Sequence, residues 1–197
     1  MTHLIIYAHP NPTSFNHAIL DKVIQASANH DVIVRDLYQL DFNPTLTWQE
    51  FRATIEQQYA VDVAQEHRYF QQADLITLIY PLWWMGFPAI LKGYLDRVIA
   101  YGFAYKDGKE KSIGLLGDKR VQQFVTLGNP VEEYRQKGYL QAFEHTLGYG
   151  LFSFCGIEKV DMHYFGEIGL PSTDYQGILQ EVQNSTSNIL NKNYSIG

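Results

Sequence analysis

The sequence predicts an α/β fold in which five parallel strands form one doubly wound sheet. Short apolar runs alternate along the chain with segments of helical periodicity. The apolar runs show little polar alternation, as expected for strands that helices cover on both faces. No internal repeat, low-complexity tract or linker interrupts the 197 residues, so we expect a single domain over residues 1–197.

Five apolar runs are the predicted strands of this sheet. Leu75–Tyr80, with the sequence LITLIY, is the most apolar of them. The full set is Leu4–Ala8, Asp31–Asp36, Leu75–Tyr80, Arg120–Leu127 and Lys159–His163. In a doubly wound sheet with five strands we expect the spatial order 2-1-3-4-5.

Helices are predicted between the strands. The first begins at Phe15, where apolar residues recur every three or four positions. The others are predicted over 62–72, 88–100, 131–153 and 172–191, with a short helix inside the mixed segment 37–57. Pro88 suits a first helical turn, and Ser172 is the expected N-cap of the last helix. The glycine-containing, charged segment 102–118 is predicted as a long loop.

Composition restricts the classes of function. Hydrophobic residues make up 46% of the chain and charged residues 18%, which indicates a globular protein. The net charge of −6 argues against nucleic acid or an anionic membrane as the main partner. No apolar stretch is long enough for membrane insertion, and the N-terminus lacks a signal-peptide pattern, so we expect a cytoplasmic protein.

Cysteine and histidine usage gives no sign of a metal centre. Cys155 is the only cysteine, so no internal disulfide can form, and we expect it to be a small buried apolar residue. The seven histidines are dispersed along the chain and form no cluster of metal-ligating residues in the sequence.

Three loops follow the first, third and fourth predicted strands, and they carry the candidate site. The first loop is HPNPTSFN (residues 9–16), the second is PLWWMGFP (81–88), and the third is TLGNPVEEY (126–134). Ligands of doubly wound sheets bind beyond the carboxyl ends of the strands. The three loops are therefore expected to converge on one crevice.

Each loop has a binding interpretation and a structural one. The first ends at a helix N-terminus, which favours a phosphate, although Thr13, Ser14 and Asn16 could be ordinary capping residues. The second is a flat aromatic surface, or else Trp83 and Trp84 plug the core. Adjacent residues in an extended turn cannot both point into one core, so at least one tryptophan should face a cavity or a partner.

The third loop and a basic cluster complete the candidates. Gly128 allows a ligand to approach the backbone closely, and the hydroxyl of Tyr134 could donate to a developing anion. A basic cluster formed by Lys106, Lys109, Lys111, Lys119 and Arg120 is either a solvated loop or an attractor for a phosphorylated nicotinamide cofactor.

Together these loops resemble those of the flavodoxin-like NAD(P)H:quinone oxidoreductases, the DT-diaphorase-like family. The resemblance covers roughly residues 3–165, and its most diagnostic run is PLWWMGFPAILKGYLDRV. DLYQLDFNP (residues 36–44) and GFAY (102–105) also resemble family segments. The resemblance implies a flavodoxin-like fold, a bound flavin (FAD, with FMN as the alternative), NAD(P)H as hydride donor and a quinone-like acceptor.

The resemblance also implies roles for particular residues. Tyr134 matches a catalytic tyrosine, the family's catalytic histidine falls at Leu140 and is absent, and Tyr105 reaches a partner's substrate pocket in a homodimer. The flavin-binding set is His9, Thr13, Ser14, Phe15 and Asn16 at the phosphate side, Pro81, Leu82, Trp83, Trp84 and Met85 along the ring, and Thr126, Leu127, Gly128 and Asn129 at its pyrimidine end.

The expected function is therefore two-electron reduction of quinones or similar acceptors by a ping-pong mechanism. Two alternatives remain open from the sequence. One is a regulatory flavoprotein subunit of a membrane transporter, for which the basic segment 106–120 is a candidate contact. The other is an electron carrier of the flavodoxin type, which transfers single electrons.

Overall fold

The computed structural model of the protein describes residues 1–191. Five parallel strands form the main sheet, and a short antiparallel hairpin lies apart from it. The sheet strands are β1 (Thr2–Tyr7), β2 (Asp31–Asp36), β3 (Leu75–Pro81), β6 (Arg120–Thr126) and β7 (Lys159–Phe165), and the hairpin strands are β4 (Tyr105–Lys106) and β5 (Ile113–Gly114). Their order, β2-β1-β3-β6-β7, confirms the predicted 2-1-3-4-5 topology of a flavodoxin-like fold.

Helices cover both faces of the sheet. Helices α1 and α8 pack on one face, while α3, α4 and α7 pack on the other. The helices are α1 (Phe15–Ala26), α2 (Trp48–Ile55), α3 (Val61–Gln72), α4 (Ala89–Val98), α5 (Val131–Gln136), α6 (Tyr139–Phe143), α7 (Tyr149–Phe154) and α8 (Tyr175–Asn191), with a π-helical turn at Glu144–Gly148. Among residues 1–191, no helix is both long and apolar enough to cross a membrane.

The sequence of the central strand β3 does not alternate between apolar and polar residues, and its burial explains why. Every residue of β3 is buried. Its side chains enter two separate cores, because Ile76 and Leu78 pack with α3 and α4, whereas Ile79 packs with α1 and α8. A strand that is buried on both faces gains nothing from alternate polar residues.

The structure differs from the sequence prediction at three places. The predicted helix over 131–153 is broken, because Gly138 adopts a left-handed conformation (φ +74°) between α5 and α6 and a π-helical turn follows. Asp174, not Ser172, caps α8, since its Oδ1 accepts the amide proton of Gly177 at 2.9 Å. The segment predicted as one long loop over 102–118 contains the β4–β5 hairpin.

A buried histidine links β1, β3 and the end of α1. His3 is fully buried; its Nδ1 lies 2.8 Å from Ser27 Oγ and its Nε2 lies 2.7 Å from Thr77 Oγ1. Ser27 Oγ donates its own proton to the carbonyl of Val23, so it accepts from Nδ1, and Nε2 accepts from Thr77. Burial lowers the pKa of His3 from 6.5 to about 3, which keeps the imidazole neutral in the folded state.

This histidine should make the protein less stable in mild acid. The unfolded chain takes up a proton near pH 6.5 that the folded chain excludes until about pH 3. The stabilisation is therefore complete above pH 6.5 and is lost as pH falls, by up to about 1.4 kcal/mol per pH unit. Urea unfolding at pH 7, 6, 5 and 4 measures it. His3→Gln should remove this part of the pH dependence, and identical slopes for the two proteins would contradict the assignment.

Candidate functional site

The three loops meet at Thr126, the last residue of β6. Asn16 Nδ2 in the first loop donates to Thr126 Oγ1 at 2.8 Å. The amide of Leu82 in the second loop donates to the carbonyl of Thr126, also at 2.8 Å. The predicted convergence of the three loops at the carboxyl edge of β1, β3 and β6 is confirmed.

The first loop is held by its own side chains at the start of α1. Asn11 Oδ1 accepts from both the amide and the hydroxyl of Thr13 at 2.9 Å. Ser14 is the N-cap, and its Oγ accepts the amide of His17 at 3.3 Å. The capping interpretation of Ser14 is confirmed. The first-turn amides of Phe15 and Asn16 precede the point where intrahelical bonds begin, so this end of α1 suits an anionic group.

His9 provides a neutral ring in the first loop. Its Nδ1 accepts the amide of Asn11 at 3.0 Å, and its ring centroid lies 6.0 Å from that of Trp83. Burial lowers the pKa of His9 below its ordinary value. The first loop therefore offers hydrogen bonds and a helix dipole to an anion, and it contains no lysine or arginine.

A strained two-residue turn shapes the second loop. Trp83 and Gly86 exchange backbone hydrogen bonds of 3.2 and 3.1 Å around Trp84 and Met85. Both central residues have left-handed backbones, with φ of 51° for Trp84 and 62° for Met85. Glycine or asparagine normally occupies such positions, and a larger side chain costs about 1–2 kcal/mol at each. Strain of this kind occurs mainly at functional sites.

The turn presents aromatic and thioether groups to the solvent. Trp84 is fully exposed, and Trp83 and Met85 are about half exposed (41% and 51%). The hypothesis that both tryptophans plug the core is therefore wrong. Both tryptophans lie outside the core, so the expectation that at least one of them faces a cavity or a partner stays a prediction.

The third loop exposes backbone beside this turn. A Cβ atom on Gly128 would meet no atom within 4 Å, so the space above it is open. Leu127 is buried and its amide donates to the carbonyl of Phe165 at 2.8 Å, while Asn129 is exposed. Sequence reasoning missed Gly166, where a Cβ would lie 2.7 Å from the carbonyl oxygen of Asn129. The only signal was an isolated glycine directly after a strand.

Tyr134 lies in α5 with its ring about 6 Å from those of Tyr139 and Phe143 (6.1 and 6.2 Å). Its side chain is partly exposed, and its hydroxyl makes no hydrogen bond with another described residue. Leu140 is buried in α6 and cannot transfer a proton. Of the two acid–base positions that the resemblance indicates, only Tyr134 carries a polar group.

Tyr105 lies apart from the three loops, in a groove behind the second loop. Its ring is 4.9 Å from that of Phe154. The groove has a volume of about 510 Å³, reaches Phe87 of the second loop, and is also lined by Leu95, Ile99 and Leu151. Within one chain, Tyr105 does not join the crevice formed by the loops.

The predicted basic cluster does not exist as one surface. Lys119 is buried, and its ammonium donates to the carbonyls of Ala73 (3.0 Å) and Gln71 (3.3 Å). Arg120 pairs with Asp161 at 2.9 Å. Both residues lie at the amino end of β6, opposite the candidate site. Two of the five cations are therefore unable to contribute to the predicted attraction of a phosphorylated nicotinamide cofactor.

The arrangement matches one family over nearly the whole chain. A family model described as flavodoxin-like fold matches residues 1–189. A Haemophilus influenzae protein named uncharacterized NAD(P)H oxidoreductase is 51% identical over 173 residues, which are 86% of each chain. The chain belongs to the flavodoxin-like NAD(P)H:quinone oxidoreductase family.

Two further relatives agree with this family assignment. A ribosyldihydronicotinamide dehydrogenase [quinone] of Pongo abelii is 31% identical over 177 residues, covering 79% of this chain and 77% of its own. The structure of an NAD(P)H:quinone oxidoreductase from Methanothermobacter marburgensis superposes with a TM-score of 0.84 at 28% identity, covering 96% of this chain and 98% of the other.

The strained turn leads to a prediction about stability. Met85→Gly should be more stable than Met85→Ala by about 1 kcal/mol. Glycine adopts the left-handed backbone without the steric penalty of a Cβ atom. The greater conformational entropy of glycine in the unfolded chain offsets only part of this gain. Thermal and urea unfolding of the two purified variants, with no ligand added, measure the difference. Met85→Ala is the matched control, since it removes the same side chain and keeps the strain. Equal stabilities would show that the turn is relaxed.

Proposed function

We propose that the chain is a flavin-dependent NAD(P)H oxidoreductase that reduces quinones or similar flat acceptors by two-electron hydride transfer. The observation that carries the proposal is the junction at Thr126, which places an exposed aromatic turn, open backbone and a helix N-terminus at one crevice. The names of relatives, an NAD(P)H oxidoreductase and a quinone-reducing ribosyldihydronicotinamide dehydrogenase, support the same activity.

The residues of the crevice fit a flavin. The start of α1 suits a phosphate, and the space over Gly128 is open. FAD or FMN would be held by the sets proposed from the sequence: His9, Thr13, Ser14, Phe15 and Asn16, then Pro81, Leu82, Trp83, Trp84 and Met85, then Thr126, Leu127, Gly128 and Asn129. For Leu127, the contact comes from the backbone because its side chain is buried.

The chain's own residues would position the reactants and stabilise charge. A bound flavin supplies the hydride chemistry, accepting from NAD(P)H and donating to the acceptor. Trp84 offers an exposed flat surface on which a nicotinamide or a quinone can stack. The unpaired hydroxyl of Tyr134 donates to negative charge that develops during reduction. Because both reactants use one flat surface, the nicotinamide leaves before the acceptor binds, which gives ping-pong kinetics.

A homodimer would complete the site. Trp48, Phe51 and Ile55 lie along one face of α2 and are exposed at 71%, 45% and 59%. Three large apolar side chains at this spacing on a monomer surface indicate an interface. In the proposed dimer, Tyr105 extends from its groove toward the substrate pocket of the partner subunit.

The two alternatives gain no support from the geometry. The candidate transporter contact over 106–120 is weakened, because Lys119 and Arg120 are engaged with the body of the protein. For the one-electron carrier, the names of the relatives point instead to enzymes that use a reduced nicotinamide. The two-electron enzyme therefore accounts for more of the described features.

The two half-reactions test the proposed function. Under anaerobic conditions, NADH or NADPH should bleach the flavin absorbance of the purified protein in one phase, and a quinone added afterwards should restore it. Chromatography of the released flavin decides between FAD and FMN. A protein that binds neither flavin would refute the proposal. One-electron reduction without turnover by NAD(P)H would instead indicate a carrier.

The contribution of Tyr134 is measured in the same stopped-flow experiment. Tyr134→Phe should slow bleaching by about tenfold or more, because a neutral donor to the developing charge is lost. Tyr139→Phe is the matched control, since its ring lies 6.1 Å from that of Tyr134 on the neighbouring helix. Equal rates for Tyr134→Phe and the wild type would remove Tyr134 from the mechanism.

The dimer predicts a concentration-dependent mass. Sedimentation equilibrium should give twice 22.7 kDa for the wild type. Trp48→Glu should shift the equilibrium toward monomer, because a charged side chain replaces the most exposed apolar residue of α2. Val61→Glu is a control outside the α2 face. A monomeric wild type at the highest concentrations would exclude the proposed arrangement.

A further inference from the structure

Two consecutive glutamines lie at the centre of β6, between Val121 and Phe124. Gln122 and Gln123 are both fully buried, and their side chains contact elements on opposite faces of the sheet. Burial of a side-chain amide is unfavourable unless hydrogen bonds within the protein replace those to water. A buried amide whose hydrogen bonds are made therefore fixes the position of the groups that it contacts.

Gln123 joins the end of β3 to the π-helical turn. Its Oε1 accepts from the hydroxyl of Tyr80 at 2.7 Å, and its Nε2 donates to the carbonyl of Leu147 at 2.9 Å. Burial raises the pKa of Tyr80 well above its ordinary value, so the hydroxyl stays protonated and donates. The ring of Tyr80 also lies 5.0 Å from that of Phe87 in the second loop. One side chain thus connects the base of the second loop with the turn.

The π-helical turn determines which side chains α7 presents to the groove behind the second loop. Each residue of an α-helix advances by about 100°, so a turn with one extra residue rotates the side chains after it by that angle. After the turn, Phe152 is buried in the core, whereas Leu151 and Phe154 line the groove. A regular α-helix over the same residues would turn Phe154 away from the groove.

Side chains stabilise this turn by hydrogen bonds. The amide of Tyr149 donates to the carbonyl of Glu144, five residues back, which is a rare helical geometry. Thr146 Oγ1 donates to the carbonyl of Ala142 at 2.8 Å from within the same segment. Gln123 supplies a donor from the sheet. The position of the turn, and with it the rotation of α7, therefore depends on Gln123.

We propose that Gln123 is a positioning residue for the electron acceptor: it holds the π-helical turn through the carbonyl of Leu147 and thereby places Phe154 beside Tyr105. This role rests on the proposed function, in which Tyr105 extends from its groove toward the substrate pocket of the partner subunit. The rings of Phe154 and Tyr105 lie 4.9 Å apart, so a shift of α7 moves this aromatic wall. Gln123 itself is buried beneath the groove and acts only through the turn.

Hydrogen exchange tests the link between Gln123 and the turn. Gln123→Leu keeps the volume of the side chain and removes both hydrogen bonds. Mass spectrometry of the purified protein should show the amides of residues 143–155 exchanging about fivefold faster, or more, than in the wild type. Gln122→Leu is the matched control, because Gln122 is equally buried but accepts from Thr186 Oγ1 on the other face at 3.2 Å. Unchanged exchange in Gln123→Leu, or equal acceleration in the control, would overturn the proposal.

Reoxidation by quinones of different size tests the effect on the acceptor. Protein reduced with NADH or NADPH is mixed in stopped flow with 1,4-benzoquinone, menadione or 9,10-phenanthrenequinone, which have one, two and three rings. Gln123→Leu should raise the apparent dissociation constant of the three-ring quinone by about tenfold, and that of benzoquinone by less than about twofold. Only a wide acceptor extends from the exposed second-loop turn to the wall at Phe154. The limiting rates should stay within about twofold, because Gln123 does not touch the reacting atoms.

Other patterns would contradict the positioning role. Equal weakening of all three quinones, or slower limiting rates with unchanged dissociation constants, would show a general defect and not a displaced wall. Gln122→Leu should leave all three dissociation constants unchanged, and the Gln123→Leu pattern in this control would also overturn the proposal.

Folding and the proposed function are checked separately. Circular dichroism and the thermal midpoint show whether each variant is folded. If Gln123→Leu does not fold, Tyr80→Phe removes the hydroxyl that orients the amide of Gln123, and it should give the same order of effects at about threefold for the three-ring quinone. Wild-type protein that reduced nicotinamides do not reduce, or that no quinone reoxidises, would refute the proposed function and this role with it. Normal wild-type turnover with another variant pattern would refute only the role of Gln123.

Discussion

Thr126 is the residue on which the geometry of the site depends. Its hydroxyl receives the amide of Asn16 and its carbonyl receives the backbone of Leu82, so one residue joins the three loops. This is possible because β3 and β6 pair in parallel register, with Pro81 opposite Thr126. Strands of one direction end at one edge, and the loops that follow them meet without any long connection. The position of the candidate crevice is thus a consequence of strand direction and register.

The rigid body beneath the loops allows the site to contain unfavourable features. Glu66 is buried and accepts hydrogen bonds from Arg35 and Tyr94, which fixes α3 against β2 and α4. Arg97 pairs with Glu50 and thereby fastens α2 to α4. Such a scaffold can hold a left-handed turn in place at its edge. The strained turn destabilises the fold locally, and the hydrogen bonds and ion pairs of the scaffold offset this cost. Such compensation is common where binding geometry matters.

Much of the fold follows from the sequence, because a buried parallel sheet requires apolar runs. LITLIY and the other predicted strands are such runs. The convergence of the loops follows from the same rule. The turn at Trp84 and Met85 was not foreseeable, since no glycine or asparagine marks it. The prediction of one basic surface was wrong, because nearness in sequence does not show where a side chain points. Lys119 donates to a backbone carbonyl at the edge of the sheet opposite the candidate site. The hydrogen bond from Asn16 to Thr126 was not foreseeable either, because the sequence does not show which side chains meet across the loops.

The burial of Cys155 protects the one thiol of the chain from alkylation by electrophiles. Quinones are electrophiles that add to thiolates, so an enzyme that reduces them, as proposed for this chain, would risk alkylation by its own substrate. The only thiol of the chain is fully buried at the end of α7, and burial raises its pKa to about 11. It is therefore both enclosed and protonated at neutral pH, and the thiolate is the reactive form. The apolar packing that fills this part of the core thus also keeps the one thiol of the chain from reacting with an electrophile.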